Sequence, residues 1–185
     1  SGISGRKKGV LLSHKNLIQS TLNIIEFMKI DETICEFTVP PLEHSFGFGR
    51  SRCVFFAGGT LVVNNGMLNP NAFVQNIITH ECNAISSVPA GFGTFMGRLE
   101  HLLHKVGPQI LWIEVGSSFM PLDHKLKLLQ IFPNANICMH YGLTEASRST
   151  FLDFRREQRK LNTVGKPSPR VEVDVLDEEG RKLEP

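Results

Sequence analysis

Several features that would point to a function class directly are missing from this chain. No apolar run reaches the roughly 18 residues that a membrane-spanning helix needs, so no membrane span is expected. Charge of neither sign dominates. The formal net charge of +2 offers no electrostatic footprint for nucleic acid or an anionic membrane. Cysteine is sparse: Cys35, Cys53, Cys82 and Cys138 are far apart and form no CxxC pair. A zinc site would need clustered ligands, so reduced, mostly buried thiols in a cytoplasmic protein are expected. His101 and His104 lack a third ligand and read, with His80 and His124, as surface residues. The first residues lack a charged head followed by an apolar stretch, so no secretory leader is expected. No internal repeat or low-complexity tract occurs.

What is present fits an ordinary soluble domain. The 185 residues suffice for one α/β domain with a sizeable core, and 41% hydrophobic with 21% charged residues is typical. Strand-like and helix-like segments alternate. Val10 to Leu12 is a short apolar run, and Ser13 reads as the N-cap of a helix carrying Leu17, Leu22, Ile24, Ile25 and Met28. Phe37 to Val39 reads as a strand, Phe46 to Phe56 as a helix, and Thr60 to Val63 as a β-branched strand. Pro70, Pro89 and Pro121 each start a helix. Ala84 to Val88, Ile110 to Val115 and Ile137 to His140 read as strands. The alternation predicts an α/β fold: a doubly wound, mainly parallel sheet with helices on both faces, binding ligands at the carboxyl ends of its strands. This unit is expected to span 1–162. Gly165, Pro167 and Pro169 read as a linker, followed by a half-exposed strand in which Val171, Val173 and Val175 alternate with polar residues, and a Glu178-Glu179-Gly180 turn. Residues 163–185 are therefore expected to begin a β-rich subdomain. Neither end reads as a domain boundary, so an internal piece of a longer protein is expected.

Three constellations carry chemistry. Ser1 to Gly9 combines glycines, which let backbone N–H groups approach an anion, with Ser1, Ser4, Lys7 and Lys8. It is a phosphate cradle or a flexible basic loop, and it lacks the GK[ST] of a Walker loop. Tyr141-Gly142-Leu143-Thr144-Glu145 follows a buried strand. Its carboxylate suits Mg²⁺, its hydroxyl suits a phosphate, and Tyr141 offers a flat face for a base. Equally, Thr144 could simply cap a helix. The third is Pro41-Leu42-Glu43-His44, with His44 just beyond a strand end.

The order of these pieces resembles the adenylate-forming (AMP-binding) superfamily, which includes acyl-CoA synthetases. SGISGRKKGVLLSHKNL is similar to its SG(T/S)TGxPKG loop and following strand and helix. Pro41-Leu42-Glu43-His44 matches its Pro-Leu-x-His segment, Gly116-Ser117-Ser118 its adenine loop, and Tyr141 to Glu145 its YGxTE motif. Gly165 to Val171 resembles its GxPxPG stretch. Departures are Ile3 for a hydroxyl, Lys7 for proline, Glu43 for an aromatic, Met139 and His140 for small or polar residues, and Arg170 for glycine.

The resemblance implies roles residue by residue. Ser1, Gly2, Ser4, Gly5, Lys8 and Gly9 would hold the β- and γ-phosphates of ATP. Gly116, Ser117 and Ser118 would edge the adenine, with Tyr141 and Gly142 packed against it. Thr144 would contact the α-phosphate and Glu145 would ligate Mg²⁺. His44 would lie near the acyl carboxylate and the path of the incoming thiol. The implied activity is a ligase converting a carboxylic acid, ATP and coenzyme A, or a carrier-protein phosphopantetheine, through acyl-AMP to a thioester. A fatty acyl-AMP ligase loading a carrier protein and a non-catalytic nucleotide-binding domain are the alternatives. Leu143 favours the first over peptide-synthetase domains, which carry proline there. The resemblance also implies that a ribose-binding aspartate and a C-terminal domain with a catalytic lysine lie beyond Pro185, so the chain alone would be inactive.

Overall fold

The computed structural model describes residues 9–64, 69–97 and 99–183. The first helix, α1 (His14–Met28), starts where Ser13 accepts a hydrogen bond from the Asn16 amide while the Asn16 side chain accepts one from the Ser13 amide. It is followed by β1 (Cys35–Thr38), α2 (Ser45–Ala57), β2 (Thr60–Val63), α3 (Pro70–Thr79) and β3 (Ala84–Ser87). The helix expected at Pro89 is two short pieces, α4 (Pro89–Gly93) and α5 (Glu100–His104). Then come β4 (Trp112–Val115), α6 (Leu122–Ile131), β5 (Asn136–Tyr141), β6 (Thr150–Asp153) and β7 (Lys166–Pro167).

The seven strands form one sheet in the order β2-β1-β3-β4-β5-β6-β7. The strands from β2 through β5 run parallel, and β6 and β7 are antiparallel. Side chains alternate between two cores because successive strand residues point to opposite faces. Phe37, Ile85, Ile113 and Ile137 pack on one face with Phe73 and Ile77 of α3, Leu103 of α5 and Leu128 of α6. Ala84, Trp112 and Cys138 pack on the other with Ile24 and Met28 of α1 and Val54 of α2. Helices thus cover both faces. The α1–α2 face carries Glu36 level with Ala84 and Trp112, and it turns polar towards the carboxyl ends of the strands, where Thr38, Ser86, Glu114 and His140 are buried.

Three local expectations differ from the structure. Val10 to Leu12 forms no strand, and Leu11 is fully exposed. Lys166–Pro167, expected as a linker, pairs with Thr150 and Phe151 and so extends the sheet past residue 162. Residues 171–176 alternate as a strand should but have no ladder, only an isolated bridge from Leu176 to Lys182. Alternation describes amphipathy, whereas a strand also needs a neighbour to satisfy its backbone. The Glu178-Glu179-Gly180 turn does form, with the Gly180 amide donating to the Asp177 carbonyl at 3.0 Å.

Candidate nucleotide and acid site

The candidate residues come from loops at the carboxyl ends of the parallel strands, the edge where such sheets bind ligands. The loop after β1 leads to His44, which occupies the N-cap position of α2 with extended backbone and no side-chain cap. Its imidazole is exposed. The loop after β4 begins with Gly116, buried beside His140 of the neighbouring strand. Ser117 follows with φ of 75°, in the left-handed region, and both it and Ser118 are exposed. Because Val115 pairs with Met139, this loop stands level with Tyr141 at the end of β5.

Tyr141 is 54% exposed, leaving its ring free to meet a ligand. Beyond it the chain reverses tightly into β6. Leu143 and Ala146 exchange backbone hydrogen bonds of 3.0 and 3.2 Å. Gly142 is required there, since a Cβ would fall 2.6 Å from the Arg148 amide nitrogen and 2.7 Å from the Ala146 carbonyl oxygen. Thr144 and Glu145 therefore sit at the tip of a β5–β6 reversal. No helix follows them, which removes the reading of Thr144 as a helix cap.

Thr144 and Glu145 open into a cavity of about 660 Å³ whose walls also include Leu12, Glu43, Ser45 and Arg52. The structure thus brings the Thr144–Glu145 tip and the start of α2 to one cavity. Gly116 to Ser118, Tyr141 and Gly142 lie outside its walls, and His44 is flanked there by Glu43 and Ser45 without lining it. Gly9 is exposed, and Ser1 to Lys8, with Ser1, Gly2, Ser4, Gly5 and Lys8 among the candidates, fall outside the described residues.

Among the described residues no group of three or more His, Cys, Asp and Glu side chains could cage a metal ion. One exposed carboxylate beside a hydroxyl does suit Mg²⁺, which keeps several waters and is carried largely by substrate phosphates. The residues present therefore fit a phosphate-borne cation.

Sequence reasoning missed a buried ionic cluster beneath these loops. Arg50 of α2 bonds Glu36 of β1 through two nitrogens and donates to Glu114 of β4 at 2.9 Å. Arg148, just past the reversal, donates to the same Glu114 carboxylate at 3.0 Å. His140 Nδ1 lies 2.6 Å from Glu114 without a well-aligned hydrogen bond. Burial alone would push the Glu114 carboxyl up, but Arg148, His140 and Arg50 hold it well below its ordinary range. Burial pushes His140 down, against the pull of Glu114 and with help from Arg148, so the ring is neutral at pH 7. A charged residue inside an apolar strand, Glu114 between Ile113 and Val115, was the signal that could have disclosed it.

Comparison with known proteins identifies the family and the fold. The AMP-binding enzyme family model matches residues 1–185. Oxalate–CoA ligase of Saccharomyces cerevisiae is 33% identical over 187 residues, covering 100% of this chain and 33% of that protein. 4-Coumarate–CoA ligase-like 2 of Arabidopsis thaliana is 28% identical, covering 99% of this chain and 33% of that protein. The chain thus spans about a third of the length of these relatives. Among solved structures, CmiS6 superposes with a TM-score of 0.87 at 22% identity, covering 98% of this chain and 44% of that one. O-succinylbenzoate CoA synthetase of Bacillus subtilis, in complex with ATP and magnesium ion, gives 0.79 at 23% identity, covering 96% and 36%. At such identities the structures establish the shared fold, while the family match over the full chain establishes descent: the chain belongs to the AMP-binding enzyme family.

Proposed function

We propose that the protein containing this chain is an ATP-dependent acid–thiol ligase, joining a carboxylic acid to coenzyme A through an acyl-adenylate. The observation that carries this reading is the placement of Thr144 and Glu145 at the mouth of one cavity with the start of α2. Coenzyme A is favoured over a carrier-protein thiol because the relatives named above are CoA ligases. The four free thiols suit a reducing cytoplasm.

In this reading the Thr144 hydroxyl donates to the α-phosphate, and the Glu145 carboxylate holds the cation that ATP carries. Mg²⁺, when bound, neutralises phosphate charge and polarises the phosphorus under attack. Tyr141 and the Gly116 to Ser118 loop flank the adenine, and His44 stands where the acid and then the thiol arrive. The acid's carboxylate oxygen attacks the α-phosphorus, and the bond to the pyrophosphate oxygen breaks. The thiol sulfur next attacks the acyl carbon, releasing AMP. The chain's contribution is alignment and charge stabilisation. Residues 168–183, past β7, are on the same reading the start of a β-rich subdomain.

The test is ATP–pyrophosphate exchange by the full-length protein across a panel of carboxylic acids. Glu145→Gln keeps the side-chain volume and removes the charge. It is expected to lower exchange about 100-fold, most at limiting Mg²⁺. Near-normal exchange in that variant at limiting Mg²⁺ would remove Glu145 from the site. Absence of exchange with every acid in the wild type would leave a nucleotide-binding domain without ligase activity.

A further inference from the structure

The buried ionic cluster lies directly beneath the proposed site, yet the reaction as written gives it no task. Glu36, Arg50, Glu114, Arg148 and His140 are each no more than 8% exposed. With His140 neutral, the two carboxylates and two guanidiniums cancel. Stability is a weak reason to keep such a group, because apolar side chains of similar volume often serve as well or better. Its geometry suggests another reason.

Arg148 uses its guanidinium as a clamp. Nε donates to Glu114 at 3.0 Å, one terminal nitrogen donates to the Ser45 carbonyl at 3.1 Å and the other to the Phe46 carbonyl at 3.1 Å. A further bond at 3.1 Å reaches Ser147 of its own loop. The Phe46 ring lies 5.1 Å beneath the guanidinium. Gly49 admits this approach, since any Cβ there would collide with the guanidinium. The Arg148 backbone is held too. Its φ is 55°, and its carbonyl accepts from the Ser168 hydroxyl at 2.7 Å. One side chain therefore ties the base of the Tyr141–Arg148 reversal to the first turn of α2, across 103 residues of sequence at Ser45. Those are the two segments that meet at the cavity, one carrying Thr144 and Glu145 and the other following His44.

We infer that Arg148, oriented by Glu114, is a positioning residue that sets the Thr144–Glu145 tip against the start of α2. The phosphate- and cation-binding groups and the acid-binding side are then held in one geometry before ligands arrive. The inference rests on the nucleotide-binding reading of Thr144 and Glu145. Arg148 itself touches no reacting atom.

Two variants of the full-length protein test it, with MgATP as the probe. Arg148→Lys keeps the charge but loses the planar fork that reaches three partners. Arg148→Gln combined with Glu114→Gln removes one charge of each sign and leaves the Glu36–Arg50 pair intact. Each is expected to bind MgATP about tenfold more weakly by calorimetry. Each is also expected to show faster amide hydrogen exchange in residues 142–147 without nucleotide, while exchange in α3 is unchanged. Wild-type affinity in either folded variant overturns the inference. Should the double variant fail to fold, Arg148→Lys decides. Should the wild type bind no MgATP, the nucleotide reading falls separately. Hydrogen exchange then decides the clamp, and unchanged exchange in residues 142–147 overturns it.

Discussion

Single residues at the strand ends carry conformations that their types resist. Ser117 has φ of 75° on an exposed loop, where a side chain costs about 1–2 kcal/mol relative to the right-handed alternative. Such outliers cluster at ligand sites. Ser117→Gly relieves this while loosening the unfolded chain, so urea unfolding should show a gain of about 0–1 kcal/mol. Ser117→Val should lose about 1–2 kcal/mol instead. A loss in the glycine variant would mean that the Ser117 side chain makes a contact worth more than the strain. Arg170 also adopts a left-handed φ, 61°. It stands where the family pattern has glycine, so this strain was legible in the sequence as a departure. An ion pair to Glu26 at 2.7 Å and a bond to Asn23 at 3.2 Å accompany it, but the exposed pair offsets little.

Elements with a local start signal were the legible ones. Ser13 caps α1, Asn69 and Pro70 open α3, and β-branched Thr60 to Val63 forms β2 over its expected span. The capping box at Ser13 predicts a measurable cost. Ser13→Ala should lower stability by about 1 kcal/mol and raise hydrogen exchange in the first turn of α1. A change below about 0.3 kcal/mol would show that tertiary packing alone holds this end. The antiparallel strands were not legible. Thr150–Asp153 is four residues long and buried on both faces, so it shows no alternation, and Lys166–Pro167 exists only because β6 offers it a partner. The stretch from Val171 to Leu176 is the converse case, with the pattern but only the isolated Leu176–Lys182 bridge in place of a ladder.

At the scale of the whole molecule the buried charges couple the sheet to α2 and to the site loops, and they tie its stability to pH. The neutral ring of His140 is surrounded by Glu114, Arg148 and Arg50, with Phe46 edge-on at 4.7 Å. Its folded pKa lies below the ordinary value of 6.5, so the unfolded chain binds the proton more readily. Stability should therefore fall as pH drops through 6.5 towards the folded value, and recover above it. Glu114 has the depressed carboxylate pattern. Its contribution is complete above the ordinary 4.5 and is lost only on further acidification. Urea midpoints measured between about pH 7 and pH 5 isolate the histidine. His140→Gln should flatten that slope, whatever it does to the absolute midpoint. An unaltered slope would assign the pH dependence to another group.

Composition, capping residues and hydrophobic period determined the class of this protein by themselves: a wound parallel sheet, most of its helix starts, and polar, glycine-bearing loops at the strand ends. These signals are local, each read within one turn or one strand, and they survive without knowledge of the rest of the chain. Tertiary structure decided what depends on distant neighbours. It turned Thr144 from a possible helix cap into the tip of a reversal, gave β6 and β7 their partners, and left Val171–Leu176 without a ladder. It also brought Glu36, Arg50, Glu114, His140 and Arg148 into one dry cluster. A buried charge is tolerable only beside its counter-charge, and which charges meet is set by strand order and helix packing, which no local pattern records.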